Sequence, residues 1–598
     1  MRSALRKRSG ATLLAIALAG AAASVVALWA PAASRASVPV VDVFPIPGGH
    51  VAAPTTQLTF RGIPISQLGP ITVTGSRSGV HTGRLEADSD GNGGSFLPVR
   101  PFDPGETVTV RTSANIDGSG SGTYSFTVAD PAGPIKVGAL RAAPRVPHDV
   151  SHFFSAPQMF PARVEVTHLP RGAQPGDIFI APQQGPVQSG PELLGPYGGL
   201  IWFKTVPKGQ LATDFREQTY QGKPVLTWWQ GTINGGVGTG QDEIYSSSYQ
   251  PVATVHAGNG LQADLHEFYV TPEGTALITA YYPVYWNTSG VRNGSTHDLV
   301  FDAVAQEIDI RTGLVLWQWD SLDHVPVTDS YQFAPPESGH PWDYFHINAV
   351  SQAPDGSIVI SARNTWAVYD ASAQTGAVNW TLGGRQSSFT MGHDTPFMFQ
   401  HDAVLHANGL MTIFDDGAGP PAVHKRSRGL LLKLDTANHT ATMMLQDEHV
   451  PGLLAYYEGS VQPLANGDDF VGWGEQPYVT EFNSRGRPVF DARFVGQNSS
   501  YRAYRYPWSG MPVTRPSAAE RVVGGHAIAY ASWNGATQVA TWQVLGGSSP
   551  TSLSIVATHR RTAWETDIPL SQSEAYIETR ALDAHGNVLA TSKAVKLG

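Results

Sequence analysis

The 598-residue chain contains no cysteine. Disulfides, thiolate nucleophiles and cysteine-ligated metals are therefore excluded. Charged residues are scarce, 15% against 41% apolar, so the chain can bury large cores and is not disordered overall. A net charge of −10 leaves no basic footprint for nucleic acid, and any anion site must carry its own local cations. There is no glycine-rich phosphate loop and no G-x-S-x-G elbow, which removes motif support for nucleotide binding and serine hydrolysis. Beyond the N-terminal segment, no apolar run is long enough to span a bilayer.

Glycine (63) and proline (44) are abundant and fall between short apolar runs. That spacing implies many turns and an all-β chain. The length suggests roughly two to four domains. The start, "MRSALRKRSG" then "ATLLAIALAGAAASVVALWA" then "PAASRAS", has the basic, apolar, small-residue order of an export signal. Residues 1–36 are expected to be a signal peptide, cut after Ala32 or Ala36, with an uncleaved N-terminal anchor as the alternative. Without a cysteine there, a lipoprotein anchor is not available.

Residues 38–130 alternate apolar and polar in pieces such as "QLTFRGIPI", "ETVTVRT" and "GTYSFTVAD", as a β-sandwich does. A linker is expected at 131–154. Residues 515–598 ("AIAYASWNG", "QVATWQVLGG", "TSLSIVATHR") predict a second sandwich of immunoglobulin or fibronectin type III kind. Neither carries a cluster of catalytic residue types, so their expected role is structural or adhesive.

The intervening region, 155–514, repeats. "HEFYVTPEGTALITAYYP" from His266, "HINAVSQAPDGSIVISAR" from His346, "HDAVLHANGLMTIFDDG" from His401 and "YEGSVQPLANGDDFVGWG" from Tyr457 align. Each opens on a polar residue, runs as an alternating strand, turns at a glycine and returns as an apolar strand. A second strand pair follows each, for example "EIDIRTGLVLWQWD". Two weaker units precede them at 176–204 and 223–250. The expectation is a six-bladed β-propeller. The first strand of a blade lines the central channel, so His266, His346 and His401 should meet at one channel mouth although 135 residues separate the first from the last. Asn348 follows His346 by two positions, and Arg363 ends the strand that returns from it.

Imidazoles beside an arginine suit an anionic substrate. The guanidinium forks onto tetrahedral oxyanions, and histidine can attack or move protons near neutral pH. No carboxylate shares the register, which disfavours glycoside hydrolysis. A three-histidine metal site is the alternative chemistry, and the arginine argues against it.

The stretches "TYQGKPVLTWWQG", "ADLHEFYVTPEG", "DYFHINAVSQAPDGSIVISARNTW", "FQHDAVLHANG" and "VGWGEQPYVTEF" resemble the arylsulfotransferase (ASST-type) family of secreted proteins over roughly residues 155–510. The resemblance implies a six-bladed propeller and sulfuryl transfer from a phenolic sulfate ester to a phenolic acceptor. It implies a ping-pong course through a sulfated histidine, with no nucleotide sulfate donor, no cofactor and no metal. His401, after the glutamine of the "QH" motif, matches the nucleophile. His346, Asn348 and Arg363 match the residues that hold the sulfuryl oxygens, and His266 is the candidate for the proton on the phenol oxygen, with His346 as alternate. Arg428, in the basic loop "HKRSRG", and the aromatics Tyr344, Phe345 and Phe399 are candidate substrate contacts. Asp415 and Asp416 could pair with that basic loop. The absent cysteines and shorter motif spacings point to a divergent branch of the family. Two further readings stay open: a surface binding or adhesion propeller, and another propeller enzyme such as a lyase or metal-dependent hydrolase. The sequence leaves oligomeric state and natural substrates open.

Overall fold

The computed structural model describes residues 39–133, 147–185, 187–334 and 339–596. The expected signal or anchor, residues 1–36, lies outside the described residues, as does most of the expected linker. Among the described residues the fold is all-β, with a single four-residue α-helical turn, Ser321–His324. No helix there is long and apolar enough to cross a membrane.

Strands of residues 40–127 form one eight-stranded sheet around a core that includes Phe60, Phe102 and Phe126. The strand Val40–Phe44 joins its two halves, pairing antiparallel with Leu58–Arg61 and parallel with Thr107–Ile116. Along Thr107–Ile116 the alternation seen in sequence places Val108 and Val110 inside, at 0% exposure. At the other end, the sheet Ser517–Val523, His526–Ser532, Glu565–Pro569 and a five-stranded sheet around Thr541–Ser549 share a core with Trp533 and Trp542. The described part of the expected linker is docked: Phe153 and Phe154 pack on Trp564 and Tyr530, and Glu565 accepts the Phe154 and Ser155 N–H groups.

Between these sheets lie the repeats. The strands Leu211–Tyr220, Ala263–Val270, Ile347–Gln352, His401–Leu405, Ser460–Pro463 and Ser499–Tyr506 each begin or carry an antiparallel sheet that meanders outward. Each packs on the next, and the last packs on the first, so the chain forms a propeller-like ring. Two of these strands are not where the repeat pattern pointed. The unit around 223–250 takes its inner strand from Leu211–Tyr220, ahead of the quoted motif. The unit at 176–204 has no inner strand of its own: Asp177–Gln183 pairs with Ser499–Tyr506 from the far end of the region. A second seam pairs Val164–His168 with Pro488–Phe494.

Several carboxyls are buried in this fold with no cation beside them. Burial, and then the neighbouring Asp469, pushes Asp447 up to about 8. Asp469 is pushed up to about 6 by burial and Asp468. Asp302 is pushed up to about 7, chiefly by burial. These groups hold protons in the folded chain that the unfolded chain has released, so stability declines as pH rises from about 4 to 8. Glu106, held down at about 2 by hydrogen bonds that outweigh its burial, works the other way only at lower pH. The melting temperature is therefore expected to be several degrees higher near pH 5.5 than near pH 8.5. Thermal unfolding across that range checks it, and a rising melting temperature would contradict the assignment.

Candidate active site

The first strands of the ring bring the three register histidines together. His266 packs edge-on against His346 with ring centroids 4.9 Å apart, and Tyr501 lies edge-on to both His266 (5.7 Å) and His401 (6.3 Å). His401 and His266 are buried, and His346 keeps part of its side chain open.

Each histidine is held by its own aspartate through Nδ1. His401 Nδ1 lies 2.8 Å from Asp416 Oδ2. His266 pairs with Asp264 and His346 with Asp343, both by short contacts. The carboxylates are thus present but out of register with the histidines, which is why the sequence pattern passes over them. Asp264 and Asp343 precede their histidines by two and three residues. Asp416 directly follows Leu410–Asp415, the return strand of the His401 hairpin. It does not pair with the basic loop; Asp415 does. The N–H of Glu458 donates to His401 Nε2 (3.3 Å), so Nε2 is the unprotonated nitrogen and Nδ1–H faces Asp416. Burial first, then Arg363 and the other two histidines, holds His401 neutral well below the usual imidazole range. Burial likewise lowers His346, and its Asp343 partner only partly opposes this. The arrangement is a neutral, oriented imidazole with its lone pair directed away from its anchor.

The "QH" pair has a physical reason. Gln400 is fully buried, and its amide donates to Ser361 Oγ (3.1 Å) and to the carbonyls of Ala362 and Ala367 (both 3.0 Å). It clamps the residue before His401 onto the preceding sheet. Asn348 adds to the clamp, donating to the Gln400 carbonyl at 2.6 Å. Asn348 therefore sits under the histidines as a brace rather than at the open mouth. Arg363 is returned by its hairpin as expected: its N–H donates to the His346 carbonyl (2.9 Å). Its guanidinium reaches the Tyr456 carbonyl (2.8 Å) and lies 4.9 Å over the Phe399 ring. His346, Phe399, Asp402 and Glu458 all have left-handed backbones, with φ of 56°, 56°, 50° and 69°. Such strained non-glycine positions gather at functional sites. At Asp402 the break in alternation lets consecutive residues, His401 and Asp402, both be used inside the ring.

Four candidate contacts are corrected. Tyr344 is fully buried in the core and donates its hydroxyl to the Val325 carbonyl (3.1 Å), as Phe345 beside it is also core. Arg428 spends its guanidinium on Asp415 (2.9 Å), Gln446 (2.9 Å) and the Pro396 carbonyl (2.9 Å), so it holds the sheet together rather than a ligand. Phe399 is buried too and acts as the surface on which Arg363 rests. Two hollows, of about 650 and 620 Å³, lie at the seams with the N-terminal and C-terminal sheets, and no histidine lines either.

Adjoining the histidines is a buried ionic hub that sequence reasoning missed. Arg502 bonds Asp214 (3.1 Å), Glu267 (3.1 Å) and the Asn348 carbonyl (2.9 Å), and faces Asp402 at 3.5 Å. Arg216 pairs with Asp214 (3.1 Å) and Glu267. Glu267 accepts from the Val350 N–H (3.3 Å) and Asp402 from the Val461 N–H (3.0 Å). The hub ties together all the inner strands of the ring. Its signal in sequence was faint: Glu267 and Asp402 follow the register histidines, and Arg502 interrupts the aromatic run "SSYRAYRY". Among the described residues, no group of three or more histidine, aspartate or glutamate side chains is arranged to hold a metal ion.

Residues 216–495 match the model of the arylsulfotransferase (ASST) family. No protein of curated function matches the chain. Among solved structures the chain is similar to a protein of unknown function from Bacteroides caccae, at 13% identity and TM-score 0.35, over 56% of this chain and 99% of that one. It is also similar to the periplasmic gluconolactonase of Pseudomonas aeruginosa, at 11% identity and TM-score 0.30, over 71% and 96%. A streptogramin B lyase matches at 9% identity and TM-score 0.25, over 55% and 97%.

Proposed function

We propose, on the premise that the chain belongs through residues 216–495 to the arylsulfotransferase (ASST) family, that it is an exported arylsulfate sulfotransferase. In this reading the ring is a six-bladed propeller over residues 155–514. It is flanked by an N-terminal sandwich at 38–130 and an immunoglobulin- or fibronectin-like one at 515–598, and led by a signal or anchor at 1–36. The partners are a small phenolic sulfate and a phenolic acceptor, and the N-terminal segment or the sandwiches would serve attachment at the cell surface.

The observation that carries the reading is the His401 dyad. A neutral imidazole, fixed at Nδ1 by Asp416, presents Nε2 as a lone pair next to Arg363. In the first half-reaction Nε2 releases the Glu458 N–H and attacks the ester sulfur. The N–S bond forms, the S–O bond breaks, and the electron pair leaves on the phenolic oxygen. Arg363, His346 and His266 supply positive charge or hydrogen bonds to the sulfuryl oxygens as that charge moves. In the second half-reaction the acceptor phenol gives its hydroxyl proton to water or a base at the site as its oxygen takes the sulfuryl group from Nε2, which restores the neutral ring. Splitting one transfer into two is the gain of covalent catalysis.

The reading is tested with the purified chain, 4-nitrophenyl sulfate as donor, phenol as acceptor and chelator present. Nitrophenol release that rises with acceptor concentration supports transfer. Release indifferent to acceptor indicates a hydrolase, and loss in chelator indicates a metal enzyme. A pH dependence follows as well. Because burial and Arg363 keep His401 unprotonated, single-turnover release should stay level between about pH 5 and 7. A fall centred near the ordinary histidine value of about 6.5 would sink the neutral-nucleophile assignment.

A further inference from the structure

Glu458 stands where the fourth repeat, "YEGSVQ", has no histidine to offer. Its backbone N–H is the group that touches His401 Nε2. Its Oε1 accepts from Gln183 Nε2 at 2.7 Å, while Oε2 is buried and has no hydrogen-bond partner. Buried polar oxygens are nearly always bonded, and leaving one unmade costs free energy. Gly459 fixes the turn that holds this residue in place: its φ is +121°, and a Cβ there would lie 2.4 Å from the Phe414 ring. The Glu458 backbone is thus fixed against the attacking nitrogen, and one oxygen of its buried carboxyl is unused by the protein.

We infer that Glu458 is the acid–base residue of sulfuryl transfer, giving its proton to the leaving phenolic oxygen and taking one back from the acceptor. The inference rests on the proposed transferase reading and replaces His266 in that role. When Nε2 attacks sulfur, the S–O electron pair moves to oxygen, and the proton of the Glu458 carboxyl follows it, leaving a neutral phenol and a carboxylate. The acceptor phenol then gives its proton to that carboxylate as its oxygen attacks the sulfohistidine, so the protein ends each cycle with the proton it began with. Burial, with Glu475 adding to it, pushes Glu458 up to about 8, so it carries the proton at neutral pH. Besides His401 and Glu475, the titratable groups facing it are Asp416, Tyr457 and Tyr501. His266 is the weaker donor because its Nδ1 is tied to Asp264 and its ring is packed between His346 and Tyr501.

A leaving-group comparison tests this. Glu458→Gln keeps the size and the bond to Gln183 but has no proton to give. With 4-nitrophenyl sulfate, whose phenolate leaves with the least help, the variant should lose the least in nitrophenol release and sulfo-enzyme formation. With unsubstituted phenyl sulfate it should be slower by about 100-fold or more, the usual contribution of a general acid. His266→Gln, in contrast, should slow both donors alike. Equal loss on both donors in Glu458→Gln, or no loss on either, overturns the acid–base role while leaving transfer through His401 standing. Turnover of neither donor by the wild-type chain overturns the transferase reading and this inference with it.

Discussion

His401→Gln is expected to abolish sulfuryl transfer, by at least about four orders of magnitude, while the protein stays folded. Glutamine retains a donor for Asp416, so the buried carboxyl keeps a partner, whereas alanine would leave it bare at a further cost of about 1–3 kcal/mol. The side-chain amide has no lone pair basic enough to attack sulfur, and no other imidazole has its Nε2 at that place. Mass analysis after brief exposure to 4-nitrophenyl sulfate should find the sulfuryl adduct on wild type and none on the variant. If the variant keeps more than about 1% of the rate, the nucleophile is another residue, with His346 the first to examine. If both proteins bind a phenolic sulfate equally and neither turns it over, the site is a binding module and the shared histidine register is inheritance rather than chemistry.

Arg502→Met is expected to be the most damaging single change to the fold. It would leave Asp214, Glu267 and Asp402 buried around Arg216 alone. Burial disfavours the charged form of Glu267, but Arg502 and Arg216 outweigh it and hold its carboxyl below the usual range. Removing one partner from such a group costs roughly 3–5 kcal/mol, because the remaining charges stay buried and unpaired. Total stabilities are of order 5–15 kcal/mol, so the variant should unfold many degrees earlier or fail to accumulate. Activity should fall with it, since Asp402 adjoins His401 and the Asn348 carbonyl braces the same layer. Adding Asp214→Asn to Arg502→Met removes one of the stranded carboxylates and should recover part of the loss. A double-mutant cycle on melting temperature reads this coupling. An unchanged melting temperature in Arg502→Met would show that the hub contributes nothing net.

Both predictions depend on pairings of very different sequence range. Asp264 and Asp343 sit within three residues of their histidines, and a reading that asked what orients each imidazole would have reached them. Asp416 is fifteen residues from His401 yet only two past Phe414, the partner of His401 across the hairpin, so strand pairing places it. Arg502 and Asp214 are 288 residues apart, and no local pattern links them. Arg428 misled for the opposite reason: a basic loop near a channel mouth suggests anion capture, but its donors are all taken by Asp415, Gln446 and a carbonyl. Tyr344 misled because an aromatic next to a site residue is as well used by the core as by a ligand.

The sequence by itself determined the strand repeats, the shared register of His266, His346 and His401, the return of Arg363 to His346, and the resemblance of residues 216–495 to the arylsulfotransferase family. Those features are local: alternation of period two and glycine turns are written within a few residues, and they dictate which side chains open each inner strand. Closure of the ring at its two seams, the aspartate behind each imidazole, the ionic hub and the place of Glu458 were decided only in three dimensions. Each depends on strands distant in the chain meeting around one axis, and charges that read as solvated strand ends become buried partners when the ring closes over them.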